Sequence, residues 1–508
     1  MTAAPANRPV PRLGAHRALR AATLGAALGG AALPLGCGTP GVRGVAGTAP
    51  APNVLWTPPR DATAATKPAP PPALPPDLAE RVAQLKLADV IDIALRNNTA
   101  TSAAWADARA AAASYGAAKG QYFPTLAVNG AVTTIHRTVS SAGQQAVKQQ
   151  FYGPTLTLSW LLFDFGGRAG VIGEAREALL AADWTHNATL QNVVLAVEQA
   201  YFDYLGTKAL LAAQQTTLRE AQTNLEAAEQ RHRVGLATIA DELQARTALS
   251  QARLSLQAIE GQLQTTRGAL ALSMGLPANV PYDIALPSDT TVPLGISDSV
   301  DTLIERAVRE RPDLAAERAQ VAVARARVSV ARSQALPSLS LGGNAGETYF
   351  INPLPSSPSS GNSYTATVTL SIPLFSGGAQ IYNVRAAAAA ADAAAQRARG
   401  FEQQVIYEVF NAYYALRTAT QQVRTSGDLL ASATQSEQVA LGRYKAGAGS
   451  LLDLLTAQAA LASARAQAIG ARFSWYIALA QLAHDAGILG LDGASPLHIQ
   501  ADTTGLNK

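Results

Sequence analysis

The sequence predicts an α+β membrane protein made of two similar halves, each running helix–strand–strand–helix. Three observations carry this expectation. First, landmarks recur at a constant separation: Gly235 and Gly447, Asp241 and Asp453, and Ala245 and Ala457 all stand 212 residues apart (447 − 235 = 212). Val193, Val197 and Tyr201 answer to Val405, Val409 and Tyr413 in the same way, and Pro124 answers to Pro337 at 213 (337 − 124 = 213). So steady an offset marks an internal duplication, and two copies of about 200 residues do not make a solenoid. Second, each half holds a pair of segments with apolar residues at strict period two. Third, Arg168 to about His232 and Gln380 to about Tyr444 run without proline and with few glycines. At 1.5 Å per residue, helices of about 65 residues reach roughly 100 Å, far longer than a compact domain needs.

Composition supports close helix packing. Charged residues are 15% and aromatics 6% of the 508 residues, and Met occurs twice. A conventional bulky core is hard to build from such a chain, whereas alanine-rich helices can lie side by side. The net charge of +4 arises from thinly spread Lys and Arg. No basic cluster with interleaved aromatics appears, so nucleic acid is not an expected partner.

Taken in order, residues 1–36 read as an export signal. Arg8, Arg12, Arg17 and Arg20 precede the small, apolar run Ala21 to Gly36, and no acidic residue occurs before Asp61. That run is short for a membrane-spanning helix. Cys37, the single cysteine, directly follows Leu33-Pro-Leu-Gly36, the position at which a bacterial lipoprotein is cut and acylated. Pro34 departs from the usual apolar residue there, and an ordinary signal peptide is the alternative reading. Residues 37–78, with Pro70-Pro-Pro-Ala-Leu-Pro-Pro76, lack apolar periodicity and read as an extended tether.

The first repeat is assigned to 79–276. It opens on Leu87, Val90, Ile91, Ala94 and Leu95 at helical spacing. Strands are expected at about 123–136 and 151–163, where Leu126, Val128 and Val132, and Leu156, Leu158 and Trp160, alternate with small polar residues. An irregular connection, 277–297, carries four prolines. The second repeat, 298–487, has strands at about 338–350 and 363–375, and 488–508 form a tail. Aromatics gather at both strand ends: Tyr122, Phe123, Phe163, Phe165 and Phe375 at one, Phe151, Tyr152, Tyr349, Phe350 and Tyr364 at the other.

Strands of this length with alternating faces and two aromatic girdles suit a transmembrane β-barrel. A soluble hairpin sheet is the bland alternative; the export signal and the girdles favour the membrane. Four strands cannot close a barrel, and open edges are intolerable in lipid. Several chains must therefore share one, and three chains with twelve strands are a natural cyclic solution.

With these features, residues 80 to 490 resemble the TolC-type outer-membrane efflux family. The resemblance rests on Leu87-Ala-Asp-Val-Ile-Asp-Ile-Ala-Leu-Arg-Asn-Asn98, Arg311-Pro-Asp-Leu314, Leu162-Phe-Asp-Phe-Gly-Gly-Arg168, Ser371-Ile-Pro-Leu-Phe-Ser-Gly-Gly378 and the two hairpin tips. With Cys37, the chain is most similar to the lipoprotein NodT-like branch. The resemblance implies a homotrimer: a twelve-stranded barrel in the outer membrane, continued by a periplasmic α-helical coiled-coil tunnel. It also implies a passive exit duct, served by a periplasmic adaptor and an inner-membrane pump, proton-driven in the lipoprotein branch. A protein-secretion channel and a periplasmic coiled-coil scaffold without a barrel are the alternatives.

At the tips, the resemblance places Gly235 and Gly447 at adaptor contacts and Asp241, Tyr444 and Asp453 in a periplasmic gate. Gly449 and Thr456 depart from it, standing where the family pattern has a latch arginine and a second acidic ring. Local physics reads the same residues as helix caps: Thr238-x-x-Asp241 and Ser450-x-x-Asp453 fit capping boxes, and the glycines fit left-handed C-caps. No catalytic site or cofactor is expected. His16 and His498 lie in the signal and tail, and His136, His186, His232 and His484 lack metal-ligand spacing.

Overall fold

The computed structural model describes residues 85–139, 145–286, 299–351 and 359–490. Cys37, the export signal, the tether, most of the tail and the second part of the inter-repeat connection lie outside these residues.

The described chain repeats one plan twice. In the first half, α1 (Leu87–Asn97) and α2 (Thr99–Lys119) lead to β1 (Thr125–Val139), β2 (Gln145–Phe163), α3 (Gly167–Arg233) and α4 (Ile239–Ser273). In the second, α5 (Val300–Glu310) and α6 (Pro312–Ser333) lead to β3 (Ser338–Phe350), β4 (Ser360–Ser371), α7 (Ala379–Lys445) and α8 (Leu451–Asp485). Helices α3 and α7 each have 67 residues and α4 and α8 each have 35. Their starts are separated by 212 in both cases (379 − 167 and 451 − 239). At 1.5 Å per residue the long helices extend roughly 100 Å.

Each half breaks its opening helix at one residue. Asn98 ends α1 in extended geometry and caps α2, its Oδ1 accepting from the N–H of Ala100 at 2.8 Å. Arg311 ends α5 in the same extended geometry and opens α6 without a side-chain cap bond, Pro312 taking the first helical position, a place where its missing N–H costs nothing. The main core lies around these breaks. Val90, Ile91 and Ile93 of α1 and Leu303 and Ala307 of α5 pack against Val193, Val197, Val405 and Val409 of the long helices. Towards the far ends, only small clusters such as Ala221–Leu249–Ala252 and Ala433–Leu461–Ala464 remain, and alanine lets each hairpin close tightly.

The strands form one antiparallel sheet in the order β1-β2-β3-β4. Its register puts Leu126 beside Leu158, Trp160 beside Leu341 and Leu341 beside Val368, so one face is apolar across all four strands. Among the described residues much of that face is left open: Val128 is 74% and Val132 76% exposed. The outer sides of β1 and β4 are unpaired in this sheet. The aromatic ends also come into register, Tyr152 stacking on Tyr349 at 5.4 Å and Phe151 meeting Phe350 at 6.0 Å.

The strand boundaries shift from the sequence expectation, most of all at two places; β1 also runs from Thr125 to Val139 rather than from about 123 to 136, and β4 starts at Ser360 rather than near 363. β4 ends at Ser371 rather than near 375, because Pro373 has no N–H for a ladder. β2 begins at Gln145, six residues early, because its backbone pairs on with β1 as far as Val139. At Gly153 a Cβ would lie 1.8 Å from the carbonyl oxygen of Glu347. Only glycine permits β2 and β3 to approach there.

Candidate functional site at the hairpin tips

The two helical hairpins turn with the same backbone device. At the first, the Leu236 N–H donates to the Arg231 carbonyl at 2.8 Å and the Gly235 N–H to that of His232 at 3.0 Å. At the second, Ala448 donates to Arg443 at 2.9 Å and Gly447 to Tyr444 at 3.1 Å. These paired bonds define Schellman motifs, and the glycines take the required left-handed geometry, φ +78° and +73°. A capping box then opens each return helix. The N–H of Asp241 donates to the Thr238 hydroxyl at 3.2 Å while the Asp241 carboxylate accepts the Thr238 N–H at 2.8 Å. Ser450 and Asp453 repeat the exchange at 3.1 and 3.3 Å. Hydrogen bonds from Ser450 hold the Asp453 carboxyl below the usual carboxylate range, so it carries charge at the open end of the hairpin.

The structure brings some of the expected site residues together and separates others. Tyr444 is buried among Ala228, Ala245, Leu451 and Leu454, where the two hairpins touch. The Arg231 guanidinium lies over its ring at 4.2 Å. Asp241 instead turns to Thr238, its carboxylate also accepting the Thr238 hydroxyl at 2.8 Å. The pair of Asp241 with Tyr444 is therefore not formed within one chain. Asp453 lines an open groove with Arg443, Gly449, Leu452 and Thr456. Gly449 lets Arg443 cross the turn, since a Cβ there would sit 3.1 Å from that of Arg443.

Sequence reasoning missed the basic residues. Arg231 partners Tyr444 across 213 positions (444 − 231), and its only sequence signal is its place at the start of the repeated tip. His232 is engaged as well: its Nδ1 lies 2.8 Å from Glu242, which also accepts from Arg246 at 2.7 Å. Deeper along the hairpins, Asn224 bonds Gln458 at 2.5 Å and Arg465 pairs with Glu220 at 3.1 Å, tying α3 to α8. Among the described residues no group of His, Cys, Asp and Glu is placed to hold a metal ion. The tips offer exposed carboxylates, glycine turns and short side chains, which suits contact and charge filtering at an opening.

Comparison with known proteins agrees with this architecture. Residues 90–276 and 303–487, nearly the two repeats, match the family described as outer membrane efflux protein. The chain is 30% identical over 422 residues to protein CyaE of Bordetella pertussis, covering 81% of this chain and 85% of that one. It is 25% identical over 402 residues to the toluene efflux pump outer membrane protein TtgC of Pseudomonas putida, covering 76% and 80%. Among solved structures, the outer-membrane channel OprN superposes with a TM-score of 0.72 at 21% identity, covering 80% of this chain and 90% of that one. The chain belongs to the outer membrane efflux protein family and is an outer-membrane channel of an efflux system.

Proposed function

We propose that three copies form a passive exit duct for small molecules, in which a twelve-stranded barrel continues into a helical tunnel. The reading rests on one observation above all: a four-stranded sheet with a bare apolar face and two unpaired edges. Lipid suits that face, and only pairing with other copies satisfies those edges. The duplication supplies the register. Val132 pairs with Tyr152 and Ala345 with Tyr364, so β1 maps onto β3 by 213 (345 − 132) and β2 onto β4 by 212 (364 − 152). The same shifts carry the Leu156–Ala345 pair to Val368 opposite Val132 of the next copy.

In this reading a periplasmic adaptor meets the tips at Gly235 and Gly447, and an inner-membrane, proton-driven pump supplies the energy. Asp241, Tyr444 and Asp453 form the periplasmic gate, with three Asp453 carboxylates repelling one another and attracting cations at the mouth. An acyl chain on Cys37 anchors the tether in outer-membrane lipid. The name of the toluene-pump relative inclines the substrate class towards small molecules.

The purified protein should run as a trimer and conduct ions in planar bilayers, and Val132→Cys with Val368→Cys should cross-link neighbouring copies. A monomer without conductance refutes the duct. For the gate, Asp453→Asn keeps an acceptor for the cap but removes charge, so block by divalent cations should weaken. Unaltered block leaves Asp453 a cap alone. An unmodified mass for a mature N-terminus at Cys37 would dismiss the anchor.

A further inference from the structure

Inside the chain, hairpin α3/α4 meets hairpin α7/α8 through α3 and α8, and the contact has a knob and a hole. Phe202 of α3 stacks on Tyr476 of α8 with centroids 4.9 Å apart and planes 11° from parallel. Phe473 of α8 fills the space over Gly206, where a Cβ would lie 3.2 Å from its ring and 3.3 Å from its own Cβ. Gln199 and Gln481 bond across the seam at 3.1 Å. The bulk belongs to α8 and the hole to α3.

This seam occupies α3 and α8 and leaves α7 and α4 as the outward sides of the two hairpins. Shifted by 212, the face of α3 at Leu195, Glu198, Phe202 and Gly206 becomes Tyr407, Phe410, Tyr414 and Thr418 of α7. Those aromatics form a ridge at helical spacing, and Tyr407 is 61% and Phe410 48% exposed. Phe410 and Tyr414 touch at 4.7 Å, so the ridge is continuous. Shifted back, Phe473, Tyr476 and Ala480 of α8 become Gly261, Gln264 and Gly268 of α4. A Cβ on Gly261 would meet nothing within 4 Å, and Leu272, one turn beyond Gly268 on that face, is 73% exposed. In the outward pair, bulk and hole have changed sides.

We propose that the aromatic ridge Tyr407–Phe410–Tyr414 of α7 seats in the glycine-lined face Gly261–Gln264–Gly268 of α4 from a second copy of this chain. This rests on the multi-copy reading above and adds the helical surface through which neighbours recognise each other. The contact is heterologous, one face meeting a different one, so it closes into a ring rather than a twofold dimer. The exchange of bulk also enforces order. α8 cannot substitute for α4 on the ridge, because Phe473, which seats over Gly206 within the chain, would strike Thr418 in its place. α4 cannot substitute for α8 on α3, because Gly261 over Gly206 leaves a void, and unfilled contacts weaken packing. Hairpins within a chain and hairpins between chains therefore cannot trade places.

The Gly206–Phe473 contact sets the test. The equivalent positions between copies are Thr418 and Gly261, and the 3.3 Å separation found within the chain is close to the Cβ spacing of about 3.5–4.5 Å of a disulfide. In a Cys37→Ser background, oxidation of Thr418→Cys/Gly261→Cys in membranes should give a reducible ladder of covalent dimer and trimer. Each single variant should give none, and Gly206→Cys/Phe473→Cys should close within one chain and stay monomeric on the gel. A ladder from Val132→Cys/Val368→Cys but none from Thr418→Cys/Gly261→Cys overturns the helical contact and leaves the barrel standing. No ladder from either pair overturns the association of copies itself. Should the first helical pair fail to accumulate, Tyr414→Cys/Gln264→Cys with a short bis-maleimide reads the same contact by the same outcomes.

Discussion

The two crossings from sheet to long helix share a backbone path and differ in what holds it. Both pass through consecutive left-handed residues, Phe165 and Gly166 in the first half, Gly377 and Gly378 in the second. In the first, Arg168 is buried and donates to the carbonyl oxygens of Leu161 and Leu162 at the end of β2. Its backbone N–H meets Asp164 at 2.6 Å, and its guanidinium lies 5.1 Å from the Tyr122 ring. In the second, Gln380 stands at the place of Arg168 (380 − 168 = 212) and Ala335 at that of Tyr122 (335 − 122 = 213). An open pocket of about 270 Å³ lies at this crossing, lined by Ala335, Pro373, Phe375 and Gln380. The Gln380 Oε1 is buried there without a partner. A duplicated fold can keep its path after one half has lost its cationic pin, because two adjacent glycines at the second crossing adopt positive φ at little cost. Phe165, which has a Cβ, needs the pin more.

That contrast can be broken by experiment. Arg168→Gln makes the first crossing chemically like the second and takes the guanidinium away from two carbonyl oxygens and from Asp164, which keeps the N–H of residue 168, so the chain should lose about 3 kcal/mol. The midpoint of guanidinium unfolding in detergent measures this, and an unmoved midpoint would show the pin to be dispensable. A second difference between halves lies at Glu198, whose counterpart is Phe410. Burial pushes the Glu198 carboxyl up from 4.5 to about 7. Because the folded value lies above the unfolded one, its contribution is fully favourable below about 4.5 and is lost as pH rises through about 7. Glu198→Gln should therefore stabilise by roughly 1–3 kcal/mol at pH 8 and change little at pH 4; a gain equal at both would assign the effect to packing. The smallest difference concerns the caps. Thr238→Ala and Ser450→Ala should each cost about 1 kcal/mol, seen as faster amide exchange in the first turns of α4 and α8. Each loses the hydroxyl that accepts from the acid's N–H, at 3.2 Å for Thr238 and 3.1 Å for Ser450, and keeps the backbone N–H bond to the carboxylate.

Much of the fold was legible in the sequence because its signals are local or repeated. Proline-free alanine runs give the long helices, period-two runs give the sheet, and the glycine–acid spacing gives the capped tips. Strand ends were less legible, as backbone pairing carried β2 to Gln145 beyond any side-chain alternation. At the site, the caps follow from spacing, whereas Arg231 over Tyr444 needs two hairpins brought together in space. Arg168 appeared within a family motif, but its hold on β2 depends on two carbonyls that no side-chain pattern reveals.

The equal lengths of α3 and α7, and of α4 and α8, have a mechanical meaning. They are matched rods, and their matching is unforgiving. Inserting one residue into an arm would lengthen it by about 1.5 Å and rotate all that follows by about 100°. Tyr201 and Val197 would swing out of the core, and one tip would stand proud of the other. Changes of length in this protein are therefore tolerable where no paired rod has to stay in step, and costly anywhere along the hairpins.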